Sequence, residues 1–169
     1  MCPPAYLYQA PAGVPGDITR PDETNVEPAR LIAVSGTYAQ AFGIPMKYAS
    51  GGISQFASGD AATAFAGVLV REVPSISGNT NQGFDNTVPN PDVPNGLAVR
   101  GYVNVKCTVG TPARGGIVYV RVEADTGKAI GDFEASSDTT KSVALTATQA
   151  TWASDGKDEN NNAELRIAR

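Results

Sequence analysis

Leu97-Ala-Val-Arg-Gly-Tyr-Val-Asn-Val-Lys-Cys-Thr108 is the stretch on which the fold class turns. Leu97, Val99, Gly101, Val103, Val105 and Cys107 make one apolar series. Ala98, Arg100, Tyr102, Asn104, Lys106 and Thr108 make the other, which is mostly polar. Alternation with period two, sustained this long, predicts a strand with one buried and one wet face. Gly101 in its middle predicts a bulge or a close approach of backbone.

Shorter strands surround it. Upstream, Leu31 to Val34 is an apolar run, and Ile44 to Tyr48 reads as an edge strand because Pro45 interrupts it. Phe65 to Val73 ends before Pro74. Gly51-Gly52 and Ser58-Gly-Asp60 are turns, and Thr37 to Phe42 and Asp60 to Ala66 can each hold a brief helical turn. Downstream, Ile117 to Glu123 alternates, and Asp125-Thr-Gly127 predicts a hairpin turn into Lys128 to Phe133. Ser142 to Trp152 and Ala163 to Ile167 follow, with a turn at Asp155 to Asp158. Short strands between turn signals, with no helical period and no internal repeat, predict an all-β fold. The expected architecture is a compact β-barrel or β-sandwich of short antiparallel strands.

The 169 residues suit a single domain, which at that size buries about 70% of its unfolded surface and folds without metal or disulfides. The 18 Gly and 12 Pro, against 18% charged residues, exclude both a helix bundle and full disorder. Residues 1–30 read as an extended arm. Pro3, Pro4, Pro11, Pro15, Pro21 and Pro28 forbid a continuous helix or a central strand. Tyr6, Leu7, Tyr8, Val14, Ile18 and Val26 are apolar points that a solvated linker does not need. Such an arm is expected to lie along a surface, its own domain's or a partner's. Residues 31–169 form the β domain, with a long polar loop from Ser75 to Pro94 whose main apolar points are Phe84 and Val88. A loop of that length in a compact domain is usually functional or mobile.

The net charge of −4 offers no basic face for a phosphate backbone, so no nucleic-acid partner is expected. No apolar run approaches the ~18–20 residues of a membrane span. Met1-Cys-Pro-Pro4 lacks the basic and apolar parts of a secretory signal, so synthesis in the cytoplasm is expected. Histidine is absent. That removes Ser-His-Asp and Cys-His mechanisms, His-ligated zinc and the usual base near neutral pH. Cys2 and Cys107 are too few for a thiolate zinc site. Cys107 reads as a small buried hydrophobe and Cys2 as an exposed free thiol.

Four constellations invite chemistry and resolve to structure. Asp155, Asp158, Glu159 and Asn160 to Asn162 have calcium-loop composition without the EF-hand order. Gly110 to Gly116 lacks P-loop spacing. Glu123 and Asp125 could serve glycoside hydrolysis as a carboxylate pair, but they sit at a hairpin turn where such residues are ordinary. Trp152 with Tyr102 and Tyr119 could stack a sugar, although packing is the commoner fate of such aromatics. No catalytic constellation and no cofactor are expected, and a structural or binding protein is favoured over an enzyme.

Tyr8-Gln-Ala-Pro-Ala-Gly-Val-Pro-Gly-Asp-Ile-Thr-Arg-Pro21 resembles the opening of capsid cement, or head decoration, proteins of tailed double-stranded DNA bacteriophages. Phe65 to Glu72, Gly101 to Lys106, Gly115 to Arg121 and Ala163 to Ile167 are similar in the same order, so the resemblance spans nearly the whole chain. It implies a β domain on the outer surface of the virion capsid, made in the host bacterial cytoplasm and favouring a homotrimer. There it would clamp copies of the major capsid protein against internal DNA pressure. Carried over by position, Tyr6 to Pro21 would be the strap. Tyr6, Leu7, Tyr8 and Ile18 would be its apolar anchors, with Arg20 and Pro21 as further contacts and Phe84 as an interface candidate in the long loop. Two other readings stay open: a tail fibre or spike domain, and a carbohydrate-binding β domain that recognises a host receptor.

Overall fold

A computed structural model describes residues 13–71, 88–138 and 140–168 of the chain. Among them run ten strands: β1 Asn25–Ala29, β2 Pro45–Ala49, β3 Gly52–Gln55, β4 Phe65–Val70, β5 Asn95–Val109, β6 Tyr119–Arg121, β7 Phe133–Glu134, β8 Ser142–Ala144, β9 Ala150–Trp152 and β10 Asn162–Ile167. The only helical pieces described are two 3₁₀ turns, Pro21–Glu23 and Ala62–Ala64. The second falls inside the turn expected over Asp60 to Ala66, while Thr37 to Phe42 holds none.

The all-β class is as the sequence implied, but the ladders draw one open mixed sheet instead of a closed barrel or a two-sheet sandwich. Its main order is β3-β2-β4-β5-β7-β6-β8, with β1 and β10 branching from β5 and β9 from β10. The pair β5–β7 is parallel and the other ladders are antiparallel. The strand expected at Ile44 to Tyr48 lies between β3 and β4 and is not an edge. Pro45 is its first residue, a place where a missing N–H costs the ladder little.

β5 carries the architecture. Its first half is flanked by β1 and β4 and its second half by β10, and its end runs beside β7. The alternation of its sequence is real but does not serve one face throughout. Leu97 and the half-buried Val99 join a small core with Leu31, Met46, Ile53, Ala66 and Leu69. Val103, Val105 and Cys107 join the large core around Phe65, Val120, Phe133, Trp152 and Leu165, as does Ala98 from the other parity. The switch has a local cause. Asn25 faces Arg100 while Val26 faces Ala98, so Val99 is an extra, bulged residue. Gly101 follows at φ +120°, and a Cβ there would run into Thr24. Each fully buried Val on this strand stabilises the fold by about 1.5–3 kcal/mol.

Arg121 takes a polar position in the alternating stretch from Ile117 to Glu123. It is wholly buried, with Glu134 equally buried beside it. Its Nε donates to Glu134 Oε1 at 2.6 Å, its Nη2 to Asp138 Oδ2 at 3.1 Å and its Nη1 to the Glu123 carbonyl at 3.3 Å. The turn at Asp138 closes over the guanidinium because the Lys141 and Ser142 N–H groups both donate to the Asp138 carbonyl. Burial works against the Arg121 charge, but the bonds from Glu134 and Asp138 outweigh it and hold its pKa above the ordinary range. Cys107 is buried as expected, its thiol directed to the Val109 carbonyl, and burial pushes its pKa up.

Removing one partner of a buried pair leaves the other charge stranded, whereas replacing both with apolar groups does not. Arg121→Ala and Glu134→Ala should each cost about 3–5 kcal/mol in urea unfolding. Arg121→Met combined with Glu134→Leu should recover most of that loss. Equal losses in the single and double variants would contradict the pairing.

Candidate functional site: the N-terminal segment against β5

Residues 13–24 are laid along the second half of β5. Gly16 N–H donates to the Asn104 carbonyl at 2.8 Å, Asn104 N–H to the Asp17 carbonyl at 2.8 Å, and Thr19 N–H to the Tyr102 carbonyl at 3.2 Å. Ile18 bridges Val103 and packs its half-buried side chain on the large core. The segment is also tied to the far end of β4, since Arg71 N–H donates to the Gly16 carbonyl at 2.9 Å and Arg71 Nε to the Pro15 carbonyl at 3.1 Å. Gly16 is buried at φ +92°, and a Cβ there would lie 2.6 Å from Phe42 Cβ. Only glycine fits both the backbone angle and the space.

Past Thr19 the chain is pinned by side chains. Arg20 grips Glu164 on β10 with two bonds, Nε to Oε1 at 3.2 Å and Nη2 to Oε2 at 3.0 Å. Thr19 Oγ1 adds a third bond to Glu164 Oε1 at 2.6 Å. The guanidinium also lies over the Tyr102 ring, 3.9 Å from its centre. This is the planar geometry that arginine fits and lysine does not. The Glu164 bond raises the Arg20 pKa above its ordinary range. Pro21 then opens the 3₁₀ turn. Thr24 closes it, its hydroxyl donating to the Arg20 carbonyl at 2.7 Å and accepting the Tyr102 N–H at 3.1 Å. This is why Gly101 leaves no room for a side chain opposite Thr24.

The candidate residues divide accordingly. Ile18, Arg20 and Pro21 come together along one strand; Ile18 and Arg20 face their own domain, while Pro21 is exposed. Tyr6, Leu7, Tyr8 and Phe84 lie outside the described residues. Glu164, Tyr102 and Thr24 complete the anchorage without any signal in the sequence; Glu164 is 144 positions from Arg20.

The other constellations are occupied by structural work. Asp158 Oδ1 takes the N–H groups of Asn160 at 2.9 Å and Asn162 at 2.7 Å, so the acidic turn is stapled by its own carboxylate. Asp125 pairs with Lys141 at 2.7 Å, which holds its carboxyl below the usual range, opposite to what a general acid requires. Trp152 is 1% exposed and belongs to the core, which removes it from any sugar-stacking platform. No cluster of three or more metal-ligating side chains occurs among the described residues.

A family model described as structural cement protein (E217 gp24/Pam3 gp6) matches residues 3–168. The chain belongs to the structural cement protein family. No curated protein matches it. A solved chain from the capsid of Myoviridae phage XM1 shares its fold at TM-score 0.61 and 17% identity, covering 98% of this chain and 96% of that one.

For this cement protein, the Arg20–Glu164 pair is a semi-exposed contact worth about 1 kcal/mol. Arg20→Ala should therefore lower global stability by no more than about 1 kcal/mol while speeding amide exchange at Gly16 and Thr19 well above that at Val105. Uniform acceleration at all three amides would show that the segment has no separate anchorage.

Proposed function

We propose that this protein binds the outside of a phage capsid and cements neighbouring major capsid protein subunits against the outward pressure of packaged DNA. The observation that carries this reading is the family match over nearly the whole chain. The fold shared with a phage capsid chain agrees with it. The reading requires neither a cofactor nor a catalytic step, and it involves no nucleic acid or membrane. It places the protein on the virion surface after synthesis in the host cytoplasm.

The physical logic is linkage. A ligand that binds only the assembled shell stabilises it by mass action, and weak contacts repeated over a lattice gain by multivalency. In this reading a homotrimer supplies three such contacts at once. Residues 1–30 act as the arm of a domain spanning 31–169, with a division of labour inside the arm. Ile18 and Arg20 hold its base to the domain. Tyr6, Leu7 and Tyr8, which precede that base, and the exposed Pro21 engage the capsid protein, together with Phe84 from the 75–94 loop. A base fixed in advance reduces the ordering cost of binding, so the apolar anchors contribute more of their burial to affinity.

Purified protein and heads stripped of it provide the test, read by cosedimentation. Changing Tyr6, Leu7 and Tyr8 together to Ala should weaken binding at least tenfold without altering the unfolding midpoint. Unchanged binding would refute the strap. Sedimentation velocity should give a trimer, and a monomer at all concentrations would refute that part of the reading.

A further inference from the structure

The sheet face beside the pinned segment holds an open groove of about 370 Å³. Asp22, Glu23, Asn25, Arg100, Tyr102 and Arg166 are among the residues that line it. Arg100 and Arg166 are both exposed, and neither guanidinium has a hydrogen bond, ion pair or ring contact among the described residues. The neighbouring Arg20 differs, being satisfied by Glu164 and Tyr102. Among the described residues, the side-chain carboxylates of Asp22 and Glu23 form no ion pair either. Two cations and two anions thus share one groove without meeting. The ladder holds Arg166 opposite Tyr102, and the 3₁₀ turn carries both acids.

We infer that this groove docks an extended segment of the shell protein carrying both signs of charge, an acidic residue to Arg100 and Arg166 and a basic one to Asp22 and Glu23. Unsatisfied guanidinium groups favour a carboxylate, which they can grip through paired N–H bonds. Asp22 and Glu23 in the same groove would repel a purely acidic strand and select one with a basic residue nearby. In an extended chain, residues two apart project to the same side, so both charges of a Glu-x-Lys pattern can point into the groove. Complementarity of this kind sets orientation and specificity more than raw affinity. The source of the segment rests on the capsid reading above; the chemistry of the groove does not.

Two measurements on the full chain separate these parts. In the first, isotope-labelled protein is titrated with the peptide Ac-Ala-Glu-Ala-Lys-Ala-NH2 and followed by amide chemical shifts. Shifts should cluster at Glu23, Gly101, Tyr102 and Ile167, vanish in the Arg100→Ala/Arg166→Ala variant, and be absent with the Gln-x-Gln peptide. No clustered shifts, or equal shifts from the neutral peptide, would overturn the inference. In the second, stripped heads are mixed with Arg100→Glu/Arg166→Glu and with Asp22→Asn/Glu23→Gln. Both pairs are exposed, so unfolding midpoints should hold while head binding falls at least tenfold in each. Undiminished binding would overturn the groove and leave the capsid reading standing. Failure of the unaltered protein to bind heads would instead overturn the capsid reading and, with it, the source of the segment.

Discussion

A strand of fifteen residues exposes a backbone donor or acceptor on one edge or the other at every position, and each buried one must be paired. β5 meets that demand with β1, β4, β7, β10 and the N-terminal segment. Nearly everything else in the molecule is placed by those pairings. The segment before β1 has its backbone bonds made on the β5 edge opposite β10, and so belongs to the sheet as much as any named strand. Its hold is made of main-chain bonds, glycine-sized space at Gly16 and side-chain bonds through Thr19, Arg20, Thr24 and Arg71, with little apolar burial beyond Ile18.

The bulge at Val99 and the glycine at 101 let one strand serve two cores. Without them the odd-numbered residues would all face one way, and Leu97 could not pack with Leu69 while Val103 packs with Leu165. The same irregularity opens the space that Thr24 fills and sets Arg100 beside the groove. A local break in the pleat thus connects core construction to the surface on which function is expected to lie.

Much of this was legible in the sequence because it rests on local pattern. The alternation from Leu97 to Cys107 located the central strand, Gly101 flagged the close approach, and Asp125-Thr-Gly127 marked a turn that the Asp125–Lys128 bridge closes. Patterns that need distant partners were not legible. Arg121 occupies a polar position in an alternating stretch, and only the fold brings Glu134 and Asp138 around it. Arg20 is held by Glu164 and Tyr102, both far from it in sequence. Trp152 carries the same residue type whether it stacks on a sugar or fills a core, so burial alone decides. Period two establishes strands, but it says nothing of closure, and the open, branched sheet could not be told from a barrel.

A scaffold of this kind suits a protein whose work is to hold. The ion triad around Arg121 and the clasp at Arg20 fix local geometry. On the proposed reading this family member sits on the outside of the phage head. Immunogold labelling of intact virions with antibody against the chain tests it most directly. Gold distributed evenly over the heads is the expected result; gold confined to the tails, or absent from intact particles, would contradict the account.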